Sequence, residues 1–148
     1  MDRIKMIKIV LLAVAVVLIS VSAGCSSANG LKDGFYTAEM SEYSHGWREY
    51  LIIQVKGGKI VSAEYNAKNE SGFIKAWDGS YMKNMFSQQG TYPNKYTRDY
   101  VKQLIDGQKD TIIDAVTGAS HSGQNFEQLV AAVLRQAAAG DSATAVVH

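Results

Sequence analysis

Tyr50-Leu51-Ile52-Ile53-Gln54-Val55-Lys56-Gly57-Gly58-Lys59-Ile60-Val61-Ser62-Ala63-Glu64-Tyr65 is the stretch on which the fold turns. Leu51, Ile53 and Val55 alternate with Tyr50, Ile52 and Gln54, the period-two spacing that puts one set on each face of a strand. Gly57-Gly58 supplies two residues that tolerate positive φ, as a tight hairpin requires. The returning strand carries Val61, Ala63 and Tyr65 on one face. Upstream, Phe35 opens a further strand, and Tyr43 to Arg48 joins it to the hairpin as a loop or bulge. Three strands in succession read as an antiparallel meander.

From Trp77 the period changes. Trp77 and Tyr81 lie four apart and share a helical face, and Met85 and Phe86 extend the same short helix. Beyond the Tyr92-Pro93 break, Tyr96, Tyr100, Val101, Leu104 and Ile105 mark a longer helix that Gly107 ends. Thr111-Ile112-Ile113 is predicted as a short strand. A last amphipathic helix places Phe126, Leu129, Val130, Val133, Leu134 and Ala137 on one apolar stripe. Strands first and helices later predict a single α+β domain, an antiparallel meander packed against helices on one face.

Asp114-Ala115-Val116-Thr117-Gly118-Ala119-Ser120 leads straight into that last helix. A glycine and small hydroxyl residues at a helix start let a phosphate reach the free backbone N–H groups, where the positive end of the dipole favours an anion. Two readings fit Ser120: an N-cap bonding the N–H of Ser122 or Gly123, or a hydroxyl in contact with phosphate.

Asp114–Ser122 resembles the signature of the FMN-binding domain family. That family includes the C subunit of the sodium-pumping NADH:quinone oxidoreductase, the G subunit of its Rnf relatives, and extracellular flavoprotein lipoproteins. The signature runs Asp, a small residue, any residue, Ser or Thr, Gly, Ala, Thr. Asp114, Ala115, Thr117, Gly118 and Ala119 match, and Ser120 stands where Thr is usual, keeping the nucleophilic hydroxyl. Leu31–Glu39 is similar to the family's opening strand, so the resemblance covers most of the chain after residue 30. It implies FMN joined by a phosphoester to Ser120, installed by a dedicated FMN transferase. The N–H groups of His121, Ser122 and Gly123 would then meet the phosphate beside Ala119, and Gly118 would leave room for the flavin's side chain. Thr117 would hold the turn or touch a phosphate oxygen, and Asp114 would fix the turn or be read by the transferase.

The chain's start reads as an export signal. Arg3, Lys5 and Lys8 precede an uncharged run from Ile9 to Val21, short of the roughly 20 apolar residues of a comfortable bilayer span. Ser22-Ala23-Gly24-Cys25 resembles a bacterial lipobox, with Ser22 where Leu is usual. Cys25 is the only cysteine, which excludes an internal disulfide; a free thiol in an uncleaved anchor is the competing reading. Under the lipobox reading, residues 1–24 are a signal peptide and Cys25 carries diacylglycerol and a further acyl chain such as palmitate. Residues 25–33 form the lipidated cysteine and tether, 34–139 the domain, and 140–148 a small polar tail expected to fray. The protein is then expected at the cell membrane, lipid-anchored and facing the extracytoplasmic side.

The formal net charge is +1 with no basic patch, which argues against nucleic acid as a partner. His45, His121 and His148 show no metal-ligand spacing, so no metal is expected. His121 reads as an exposed first-turn residue, because neighbours on a helix point about 100° apart and it would serve Ser120 poorly as a base. Asn69–Tyr81 is the preferred segment for flavin-ring contact. It carries Trp77 and Tyr81, with Lys75 placed to set positive charge near the ring's N1 and O2 edge; core packing is the alternative for each aromatic. No side chain is expected to be catalytic. The resemblance therefore points to an electron carrier, supplied by a membrane oxidoreductase or quinol, rather than a self-sufficient enzyme. The competing expectation is a flavin-free surface lipoprotein of the same fold that binds a ligand or a protein.

Overall fold

The computed structural model describes residues 30–148; the signal-peptide and Cys25 readings lie outside them. The meander is present as β1 (Gly34–Met40), β2 (Arg48–Lys56) and β3 (Lys59–Lys68), each antiparallel to the next. Gly57 and Gly58 adopt φ of 60° and 74°, as a two-residue hairpin demands. Leu51, Ile53 and Val55 all point into the core.

β3 departs from simple alternation. Val55 pairs with Ile60 but Gln54 pairs with Ser62, so Val61 is the extra residue of a β-bulge. The bulge shifts the phase: Ile60 is buried, whereas Val61 is 50% exposed and does not share a face with Ala63 and Tyr65. The C-terminal segment also differs from expectation. Gly140, at φ 74°, turns the chain back after the last helix, and Ala145–Val147 form β4, parallel to β1 from Ala38↔Ala145 to Met40↔Val147. Residues 140–148 are thus partly an edge strand, and the sheet is mixed, in the order β3-β2-β1-β4.

The helices are α1 (Gly79–Gln89), α2 (Pro93–Gly107) and α3 (Ser120–Ala139). Asp78 caps α1, its Oδ1 accepting from the Tyr81 N–H at 2.9 Å. Trp77 therefore precedes the helix, in a 3-10 turn over Lys75–Trp77, and shares no helical face with Tyr81. Pro93 stands in the first turn of α2, where its missing N–H costs nothing. Thr111–Ile113 is extended but pairs with no strand, and Ile112 is 86% exposed.

α3 lies across β1 and β2, and α2 across β3, so both cover the same face. Phe126, Leu129 and Val133 of α3 are fully buried with Leu51, Ile53, Tyr100 and Leu104. Each such apolar side chain contributes about 1.5–3 kcal/mol on burial. Tyr100 stacks on Phe126 at 5.4 Å between ring centroids, and Tyr65 leans on it at 4.6 Å. The chain enters the domain beside the C-terminal end of α3, where the Lys32 N–H donates to the Ala137 carbonyl at 2.8 Å. Ser120, at the other end of that helix, is about 25 Å away at 1.5 Å per residue.

Candidate functional site

The turn ahead of α3 is Val116–Ala119, closed by the Ala119 N–H on the Val116 carbonyl at 2.9 Å. Gly118 sits in it at φ 80°, and a β-carbon there would lie 2.5 Å from the Gln89 carbonyl oxygen. Glycine is required by that φ and by the close approach of the α1 C-terminus, rather than by room for a ligand's chain. The Tyr100 hydroxyl holds both ends of the turn. It accepts from the Val116 N–H at 3.0 Å and donates to the Ala119 carbonyl at 3.1 Å.

Ala119 is the N-cap residue, and Ser120 is the first residue of the helix. The capping reading of Ser120 is thereby corrected: no side chain among the described residues caps this end, and the Gly123 N–H bonds the Ala119 carbonyl at 2.9 Å. The N–H groups of Ser120, His121 and Ser122 find no acceptor among the described residues, as the first turn of a helix dictates. The Ser120 side chain is exposed and makes no hydrogen bond within the domain.

Beside this helix end is a cavity of about 590 Å³, bounded by residues 118–122, the β1–β2 turn, Lys75 and the inner side of α1. It gathers Gly118, Ala119, Ser120, His121, Ser122, Lys75 and Tyr81 of the candidate residues. Trp77 does not belong: it is 70% exposed and packs edge-on against Phe73 at 6.3 Å. Trp47 is the indole in the wall instead, buried and edge-on to Tyr81 at 6.0 Å. Thr117 and Asp114 lie outside the cavity, both exposed. The backbone of Asp114 is clamped by Gln103, whose Oε1 accepts from its N–H at 2.7 Å and whose Nε2 donates to its carbonyl at 3.1 Å.

Lys75 is 8% exposed, with its ammonium 4.6 Å from the centre of the Tyr81 ring. No carboxylate lies within ion-pair distance of it among the described residues. Glu49, 6% exposed, lines the same cavity. Glu49 Oε1 accepts from Ser122 Oγ at 2.6 Å, and Oε2 accepts from Asn125 Nδ2 at 2.8 Å. Tyr65 donates to the Ser122 carbonyl at 2.7 Å, and buried Tyr96 lines the cavity. Burial, reinforced by the Glu49 charge, raises the Tyr65 phenol well above its ordinary range, and burial does the same to Tyr96. Both phenols stay protonated at any physiological pH, and Tyr65 acts as a neutral donor.

His121 is exposed, yet it does not stand alone. Ser44 Oγ lies 3.4 Å from His121 Nε2 and 3.1 Å from His45 Nδ1, so the β1–β2 turn brings two imidazoles to the cavity mouth. His45 is held at φ 52°, a left-handed conformation uncommon outside glycine. No group of three or more potential metal-ligating residues gathers among the described residues.

Glu49 and the Ser44–Trp47 turn are the parts of the site that motif reading missed. Glu49 was findable, since it continues the Leu51, Ile53, Val55 row two residues back, and a charge on a core-facing row marks where core becomes cavity. The turn carries no such signal.

The domain is thus a small α+β layer with a cavity at one helix N-terminus. No protein-family model matches the chain. The 15 kDa lipoprotein of Treponema pallidum (strain Nichols) is 30% identical over 124 residues, spanning 83% of this chain and 88% of that protein. The chain belongs to the family of that lipoprotein. The crystal structure of a Clostridium perfringens protein is similar at a TM-score of 0.74, with 37% identity over 79% of this chain and 97% of the other.

Proposed function

We propose that this protein is a membrane-anchored, extracytoplasmic electron carrier that holds FMN, joined by a phosphoester to Ser120. The observation that carries the reading is Ser120 itself. Its hydroxyl is uncapped and exposed at the first helical position, on the wall of a cavity whose size is ordinary for small-molecule sites. The cavity's chemistry fits the group: three free N–H groups and a helix N-terminus for a phosphate, buried Lys75 for negative charge, and Trp47, Tyr81 and Tyr96 as flat walls.

When bound, FMN supplies one- and two-electron redox chemistry. The chain's own residues bind and orient. The N–H groups of Ser120 to Ser122 would donate to phosphate oxygens, and Lys75 would supply positive charge to the bound flavin. No side chain has to act as catalyst. Attachment would join Ser120 Oγ to phosphorus, with loss of the hydroxyl proton. An FMN transferase supplies the flavin as a phosphoric anhydride, whose other phosphate departs. In an extracytoplasmic setting this bond prevents loss of the cofactor by dilution.

Anchoring through Cys25 is supported by the lipobox-like residues and by kinship with a lipoprotein. Ser120 is carried at the end of the domain far from where the chain enters it, open to a donor such as a membrane oxidoreductase or a quinol. A flavin-free lipoprotein that binds another ligand in the same cavity is the second reading, favoured by Ser in place of Thr at position 120.

Co-expression with an FMN transferase tests the proposal. The mature protein should be yellow, fluoresce in a denaturing gel and gain the mass of one FMN less one water. Ser120→Ala should abolish the gain, and Ser120→Thr should load at least as well as the native chain. A colourless protein of unchanged mass in both the Ser and Thr forms sinks the carrier reading and leaves the second.

A further inference from the structure

The anion-binding end of α3 already has an anion beside it. Glu49 lies on the core-facing row of β2, 6% exposed, and both its oxygens are engaged by the first two turns of the helix: Oε1 by Ser122 Oγ at 2.6 Å and Oε2 by Asn125 Nδ2 at 2.8 Å. No Lys, Arg or His lies within ion-pair distance of it among the described residues. Fixed negative charge near the helix N-terminus offsets the partial positive charge that would otherwise draw a phosphate there. The only buried cation on the cavity wall among the described residues is Lys75. Apart from the imidazoles of His45 and His121, the wall therefore carries one negative and one positive charge.

Ser120 and Glu49 both border the cavity, so a phosphate at Ser120 shares it with the Glu49 carboxylate. A phosphodiester brings one negative charge to that position. A phosphomonoester above its second ionisation, near pH 6, brings about two. The extra charge shares the cavity with Glu49, which is itself buried and so is screened by salt less than a surface carboxylate.

We propose that Glu49 is a specificity residue that makes this cavity discriminate against dianionic phosphomonoesters and accept the flavin as a monoanionic phosphodiester. The inference rests on the flavin reading. Free FMN is then a poor ligand, while the diester that Ser120 forms is tolerated, so unattached cofactor does not occupy the site ahead of attachment. At an effective dielectric of about 20, one added charge about 10 Å away, across a cavity of about 590 Å³, changes affinity by roughly tenfold.

The test uses the unloaded lipoprotein, made without a transferase and titrated at pH 8 with three probes. FMN is a dianion there, riboflavin 4′,5′-cyclic phosphate a monoanion, and riboflavin neutral. The native protein should bind the cyclic phosphate at least tenfold more tightly than FMN. Glu49→Gln keeps an acceptor for Ser122 and removes the charge; it should tighten FMN by about tenfold or more, the cyclic phosphate less, and riboflavin not at all. Native binding of FMN as tight as that of the cyclic phosphate overturns the inference without recourse to any variant. So does a Gln variant that shifts all three probes equally or none, and so does a failure of all three to bind at millimolar concentration. Covalent loading is read separately by mass. A chain that loads yet prefers FMN refutes the role of Glu49 alone, and one that never loads but prefers the cyclic phosphate refutes the carrier alone.

Discussion

The hydroxyl of Tyr100 and the α-carbon of Gly123 are in such close contact that a β-carbon on Gly123 would lie 2.5 Å from Tyr100 Oη. This contact sets how near α2 and α3 approach at the cavity, because the same hydroxyl bridges Val116 and Ala119 on either side of the turn. Alanine normally favours a helix over glycine by about 1 kcal/mol. Here overpacking, at about 1–3 kcal/mol, should outweigh that gain. Gly123→Ala is therefore expected to lower the urea midpoint. Tyr100→Phe alone should cost about 1–3 kcal/mol by leaving two backbone groups unpaired. In the Tyr100→Phe background the nearest atom is the ring Cζ at 3.1 Å, so Gly123→Ala should cost clearly less than in the native chain. Additive effects of the two changes would show that the contact does not constrain the helices.

Local sequence carried the fold where neighbours in the chain decide it. The Gly57-Gly58 hairpin, the alternation of Leu51, Ile53 and Val55, and the stripe of α3 are properties of a few adjacent residues. It failed where a distant partner decides. Val61 leaves the core face because β2 and β3 slip by one residue, and Ala145–Val147 become a strand only because β1 offers an edge. Thr111–Ile113 has strand-forming residues but no free edge beside it. At the site, the Asp114–Ser120 signature located the turn and the helix start. The cavity wall needs Glu49, Trp47 and His45 from the sheet, and their approach to residue 120 is a matter of topology.

Tyr65, Tyr96 and Tyr100 should dominate alkaline unfolding. Burial raises all three phenols above the ordinary value near 10. A raised pKa in the folded state means that the folded protein keeps protons the unfolded chain releases. Their contribution is fully present below about pH 10 and is lost as pH climbs toward the folded values. Urea midpoints should be level from pH 8 to 9.5 and lower at pH 11, with Tyr96→Phe flattening the fall. A midpoint that does not drop by pH 11 would show these phenols to be less buried than described.

Replacing Cys25 by Ala should abolish incorporation of labelled palmitate and leave an uncleaved precursor or shed protein. The melting temperature of the domain should not change, since residues 31–148 supply its packing. Equal labelling of the native and Ala forms would refute lipid attachment at Cys25.

Asp114→Ala separates the two roles open to the signature's aspartate. The structure removes much of the case for a turn-fixing role: the Asp114 side chain is exposed and makes no hydrogen bond among the described residues, while Gln103 holds its backbone through both N–H and carbonyl. Asp114→Ala should therefore stay within about 0.5 kcal/mol of the native chain, as surface changes without a partner do. Gln103→Ala should cost about 1–2 kcal/mol by releasing two hydrogen bonds. If the transferase reads Asp114, its Ala variant should lose most covalent flavin at unchanged stability, and Gln103→Ala should lose flavin only in proportion to its loosening. The measurement pairs urea midpoints with the flavin mass increment on the same preparations. Full loading of a stable Asp114→Ala protein would make this aspartate incidental to attachment, and would leave the reading to rest on Ser120 and the cavity alone.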